Sequence, residues 1–128
     1  MSGVINVLYA LFLVLHGFAH LVGFVVPWRL ATLNEMPYKT TLLNGRIDVL
    51  DVGIKINGIF WLLLAIGFIY YGSNLLFQWS VLTFFPATLV CVSFLMCVLG
   101  WPDAKIGVWV NLAILGVILL DHYFQFIS

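Results

Sequence analysis

Four stretches of this chain are each long enough and apolar enough to cross a lipid bilayer, which takes roughly 20 mainly apolar residues. They cover about residues 4–26, 52–71, 78–99 and 106–127, and together use about two-thirds of the sequence. Little is left for a second domain, so residues 1–128 read as a single transmembrane domain. Of the residues, 64% are hydrophobic and 8% are charged, where a soluble domain carries about 25% charged residues. Five basic and five acidic side chains cannot cover a globule of this size in water. That excludes a soluble globular enzyme and a disordered chain. Zero net charge and the lack of a basic run argue against nucleic-acid binding. The expected fold is all-α: a four-helix transmembrane bundle in the cell membrane, the bacterial inner membrane if the source is bacterial.

The connections differ in length. Residues 72–77 read as a tight link between the second and third spans. Residues 100–105, with Gly100-Trp-Pro-Asp103, read as a helix stop and restart, with Asp103 as N-cap of the fourth helix. The first loop, residues 27–51, is the long one. In it, residues 38–43 and 46–50 flank Asn44-Gly45, a strong hairpin signal because both residues tolerate positive φ. A small β-hairpin is expected there. Two strands alone are marginal in water, so the hairpin should pack on helix ends or dock on a partner. The first span has no basic residue before it, a longer apolar run than a signal peptide and no A-x-A site; it reads as a retained helix.

Orientation follows from Lys and Arg. Arg29, Lys39, Arg46 and Lys55 lie in or beside the first loop and Lys105 in the third, whereas the opposite side has none. This places the hairpin in the cytoplasm and both termini outside it. Trp28 and Trp101 fall at the inner boundary, and Tyr70, Tyr71 and Trp79 at the outer one.

Polar groups are costly in lipid and so face a bundle interior. At 100° per residue, Asn6, Tyr9, His16, Gly17, His20 and Gly23 share about 100° of arc on the first helix. Gly107, Asn111, His122 and Gln125 share about 60° on the fourth. Asn57 lies with Gly53, Trp61 and Tyr71 on the second, and Thr83, Pro86, Ala87, Ser93 and Cys97 share a face of the third. Small residues let helices approach closely, and Asn, Ser, Thr and His cross-link helices by hydrogen bonds of about 0.6–2 kcal/mol. The Gly, Ser and Thr positions read as such packing.

His16 and His20, at i, i+4 spacing, stack two imidazoles on one face. Depth arithmetic at 1.5 Å per residue puts His20, Asn57 and Asn111 at one level, above Asp51, Lys55, Asp103 and Lys105. This describes a polar vestibule open to the cytoplasm, with His16, His20, Asn57 and Asn111 as candidate ligand-binding residues. His20 should reach polar groups of the second and fourth helices, Asn57 and Asn111 first among them. A metal site would need more ligands than two histidines. A haem held by His16 or His20 with His122 is opposed by a mismatch in depth of about 10 Å. No cofactor and no catalytic residue is therefore assigned. Cys91 and Cys97 lack a C-x-x-C arrangement and read as small core residues.

Leu15-His-Gly-Phe-Ala-His-Leu-Val-Gly-Phe24, Asp48-Val-Leu-Asp-Val-Gly53 and Trp101-Pro-Asp-Ala-Lys-Ile-Gly107 with Asn111 resemble a group of uncharacterised small bacterial four-helix integral membrane proteins. That group has no assigned activity, so the resemblance carries no functional residue over. Small multidrug exporters share the size and span count, but they depend on a membrane-embedded Glu in the first helix, and residues 4–26 contain no acidic residue. Thiol-oxidising four-helix enzymes need paired exposed cysteines, which this pattern lacks.

Two functions suit these features. One is a cytoplasm-facing polar pocket in the membrane that binds a small ligand or ion, as a binding protein or carrier, with a homodimer needed for any transport path. The other is a non-catalytic accessory or structural subunit that docks on a larger membrane complex through the 27–51 loop.

Overall fold

The first apolar run folds as helix α1 (Ser2–His20), turns at Leu21 and continues as the single turn α2 (Val22–Val25). At the turn the Leu21 N–H bonds to the Phe18 carbonyl at 3.1 Å, a tighter i→i−3 closure than the helix on either side. A two-stranded antiparallel hairpin follows, β1 (Thr41–Leu42) and β2 (Ile47–Asp48). Then come α3 (Leu50–Phe77), α4 (Phe85–Leu99) and α5 (Lys105–Phe124). This computed structural model describes residues 2–125. It is mostly helical, and three helices are long and apolar enough to cross a membrane: Gly3–Val25, Leu50–Phe77 and Lys105–Phe124, with mean hydropathies of 2.0, 2.0 and 1.7.

The chain is inside-out relative to a protein that folds in water. Leu8, Leu15, Leu63 and Trp109 are exposed, while Asn6, His20, Asn74, Ser93 and Asn111 are buried. Leu13, Phe68, Val90 and Ile114 form the centre of the core at 0–1% exposure. Helix α1 packs most closely on α3. A Cβ on Gly17 would lie 2.9 Å from the Ala65 carbonyl oxygen, and one on Gly72 would lie 2.7 Å from that of Ala10. Hydrogen at these two positions is what allows the backbones to meet.

Three local expectations change. The second helix does not end near Gly72: Leu75, Leu76 and Phe77 extend it until Gln78 closes it in the left-handed region, φ 57°. The third helix correspondingly starts at Phe85 rather than at residue 78, with a proline in its first turn, where a missing N–H costs nothing. Its 15 residues span about 22 Å. Finally, Asp103 is not the N-cap of α5. Ala104 holds that position without a side-chain cap, because Lys39 takes the Asp103 carboxylate at 2.7 Å.

The hairpin forms where Asn44-Gly45 predicts it, with strands of two residues each and Thr41 paired with Asp48. Leu43, Asn44 and Gly45 all have positive φ. The strain at Leu43 is offset by two bonds that dock the turn on the end of α4. The Leu43 N–H donates to the Leu99 carbonyl at 2.7 Å, and the Asn44 N–H to that of Trp101 at 3.0 Å.

Candidate functional site

Helix α1 carries both histidines on its inner face, with ring centroids 4.5 Å apart and ring planes at 82°. His20 is 3% exposed. Its Nδ1–H donates to the His16 carbonyl at 2.8 Å, which leaves Nε2 of the neutral ring to accept the Ser93 hydroxyl at 2.7 Å. The His16 Nε2–H donates to Asn111 Oδ1 at 3.2 Å, and Asn111 Nδ2 donates to Cys97 Sγ at 3.4 Å. Five side chains, two from α1, two from α4 and one from α5, are thereby tied together. Both imidazoles pack against Phe68, at 4.7 and 5.0 Å between centroids, and His20 also meets Trp61 at 5.1 Å.

The expected partners of His20 were Asn57 and Asn111; its cross-helix partner is Ser93 of α4. The bond from Nδ1 back to its own helix aims Nε2 at α4, and Asn111 is taken by His16. Ser93, read from sequence as packing, is thus part of the cluster. So is Cys97, 1% exposed. Their i, i+4 spacing on α4 mirrors that of the histidines on α1 and was the available signal. Cys91 departs from its expected core position and points outward; on an apolar helix whose outer face is apolar, a small thiol meets no penalty there.

Beside this cluster lies a cavity of about 340 Å³. His16, His20, Asn57, Trp61 and Cys97 line it from the helices. The first loop supplies a wall through Met36, Pro37, Tyr38 and Lys39. Asn111 does not line it and stands behind His16, fully buried. Asn57 lies on the wall with its Oδ1 buried and without a hydrogen-bond partner. No sequence signal pointed to the loop wall.

Charged groups hold that loop in place. Lys39 is paired with Asp103, as above. Asp51 accepts a short hydrogen bond from the Tyr38 hydroxyl and lies 3.6 Å from Arg29, whose guanidinium sits 4.4 Å over the Tyr38 ring. Trp28 Nε1–H donates to the Lys55 carbonyl at 2.9 Å. At the start of α3, Asp48 accepts from the Leu50 N–H at 3.0 Å and the Thr40 hydroxyl at 2.8 Å. These two bonds, the backbone one foremost, hold its carboxyl below the usual carboxylate range.

A second cavity of about 210 Å³ lies at the opposite end of α5, lined by Tyr9, Tyr71, Asp121 and His122 among others. His122 therefore belongs to a different cavity from His16 and His20. Among the described residues, no group of three or more His, Cys, Asp or Glu is placed to hold a metal ion.

No protein-family model matches the chain. No curated protein and no solved structure is significantly similar to it.

Proposed function

We propose that the chain is an integral membrane protein, a single four-helix bundle whose third crossing is the short α4 extended by residues 78–84. Its pocket, at the hairpin end, binds a small ligand. The positive-inside bias puts this end in the cytoplasm, so the pocket opens inward, as suits a binding protein or carrier. One observation carries the reading: the cavity of about 340 Å³ has the buried histidine cluster and Asn57 on one side and a pinned loop on the other. A cavity of that size with a few convergent polar groups is the usual form of a small-molecule site. The candidate ligand-binding residues are His16, His20 and Asn57 on the wall, with Asn111 setting His16 from behind.

Native mass spectrometry of the protein released from mild detergent tests this. Wild type should retain a small-molecule adduct that Val110→Trp, which fills the cavity, does not. Identical adducts on both proteins would defeat the pocket. Stoichiometric co-purification of another protein through the 27–51 loop would favour an accessory subunit instead.

A further inference from the structure

Resting on the pocket reading, we infer that the cavity at the hairpin end takes an uncharged molecule with an apolar body and one hydroxyl-type head, and excludes ions and charged amphiphiles. The walls supply the body's environment: Ala19, Val26, Ile54, Val110 and the Trp61 indole are apolar or nearly so. The volume is at the lower end for ligand cavities, which run about 300–1,000 Å³.

The charge balance decides the rest. The charged side chains that line the cavity, Lys39 and Asp103, are bound to each other at 2.7 Å. A carboxylate would have to take Lys39 from Asp103, and an ammonium would have to do the reverse. In either case one partly exposed charge loses its partner, and no other charged side chain on the wall replaces it. The histidines offer no counter-charge either. Both hydrogen-bond partners of His20 are uncharged, as is the Asn111 amide against His16.

One acceptor on the wall lacks a donor. Asn57 Oδ1 is buried without a partner, a state that destabilises the empty protein. A ligand hydroxyl would satisfy it once the amide turned toward the cavity. An uncharged head loses little on leaving water and gains that bond; a charged head loses much.

Decanol, decanoate and decylamine each have a ten-carbon skeleton and differ at neutral pH in the head: a neutral hydroxyl, an anionic carboxylate that only accepts and a cationic ammonium that only donates. Binding of tritiated decanol to the protein in lipid nanodiscs, read by scintillation proximity, should saturate at one per chain. Unlabelled decanol should compete about tenfold better than decanoate or decylamine. Asn57→Leu removes the unsatisfied oxygen, so it should fold at least as stably and bind decanol about tenfold more weakly. Equal or better competition by either charged compound overturns the inference while leaving a ligand pocket in place. Unchanged decanol affinity in Asn57→Leu overturns the role of the head. Absence of saturable binding by all three compounds removes both the inference and the pocket reading beneath it.

Discussion

His20 and Ser93 meet at 2.7 Å across the interface between α1 and α4, and the bond is buried on both sides. Neither residue has water to fall back on, so the pair should be measurably coupled. Ser93→Ala should lower the unfolding midpoint, and the His20→Ala, Ser93→Ala cycle should return a coupling of about 1 kcal/mol, the upper range for such bonds between helices in lipid. Strictly additive effects would mean that the contact contributes nothing. If the pocket is functional, His20→Ala should also lose ligand while remaining monodisperse.

The α1–α3 seam should tolerate no added methyl. At Gly72 the obstacle is the Ala10 carbonyl oxygen, 2.7 Å from the new carbon, and a backbone atom cannot rotate away. Gly72→Ala should cost about 1–3 kcal/mol. Gly116 has nothing within 4 Å, so Gly116→Ala is the control and should cost nothing. Equal losses in steric-trapping or denaturant unfolding would contradict the close approach.

The pair Lys39–Asp103 is partly exposed, with side chains 39% and 20% accessible, so its contribution to global stability is small, about 1 kcal/mol or less. Its effect is local. Asp103→Asn should raise hydrogen exchange and proteolysis within residues 36–42 with little change in the midpoint. The exchanged pair Lys39→Asp, Asp103→Lys should restore protection. A large drop in midpoint from Asp103→Asn alone would be inconsistent with a surface clasp.

Asp48 gives the start of α3 a pH dependence. Its carboxyl titrates lower in the folded chain than in the unfolded one because the Leu50 N–H and the Thr40 hydroxyl bind the carboxylate. The stabilisation is complete above the unfolded value, about pH 4, and is lost as pH falls through the lower folded value. Protection of the Leu50 amide should fall in that acid range. Asp48→Asn should show lower protection at neutral pH and lose the acid step.

Sidedness is tested with reporters at the C-terminus. A periplasmic phosphatase fused after Ser128 should be active, and a reporter confined to the cytoplasm should be silent. The reverse pattern would place the hairpin and the pocket mouth on the outer face.

The features legible from sequence were those written in local periodicity. Apolar runs announced the helices. Asn44-Gly45 announced the hairpin, and the arc from Asn6 to Gly23 announced that His20 faces inward. The rest depends on which helices become neighbours, and no single helix encodes that. Ser93 rather than Asn57 meets His20 because α4 lies opposite the Nε2 of that ring. Cys91 turns out rather than in, since an apolar exterior does not select against it. The link between α3 and α4 shifted because Trp79, Val81, Leu82 and Phe84 carry apolar side chains through it, so hydropathy drew no sharp boundary there. The loop wall rests on Lys39 and Asp103, far apart in sequence and paired only in the fold.

The docking of the hairpin turn on α4 also bears on how the chain is assembled. The last carbonyls of a helix have no partner within it; here that of Leu99, and that of Trp101 just past the helix, are met by the N–H groups of Leu43 and Asn44. The capping piece is synthesised before the helix it caps. Its contacts with Asp48, Asp51 and Lys55 precede that helix, but the turn itself gains its dock only when α4 arrives. A fragment that stops after α3 therefore leaves the N–H groups of Leu43 and Asn44 without the carbonyls that receive them.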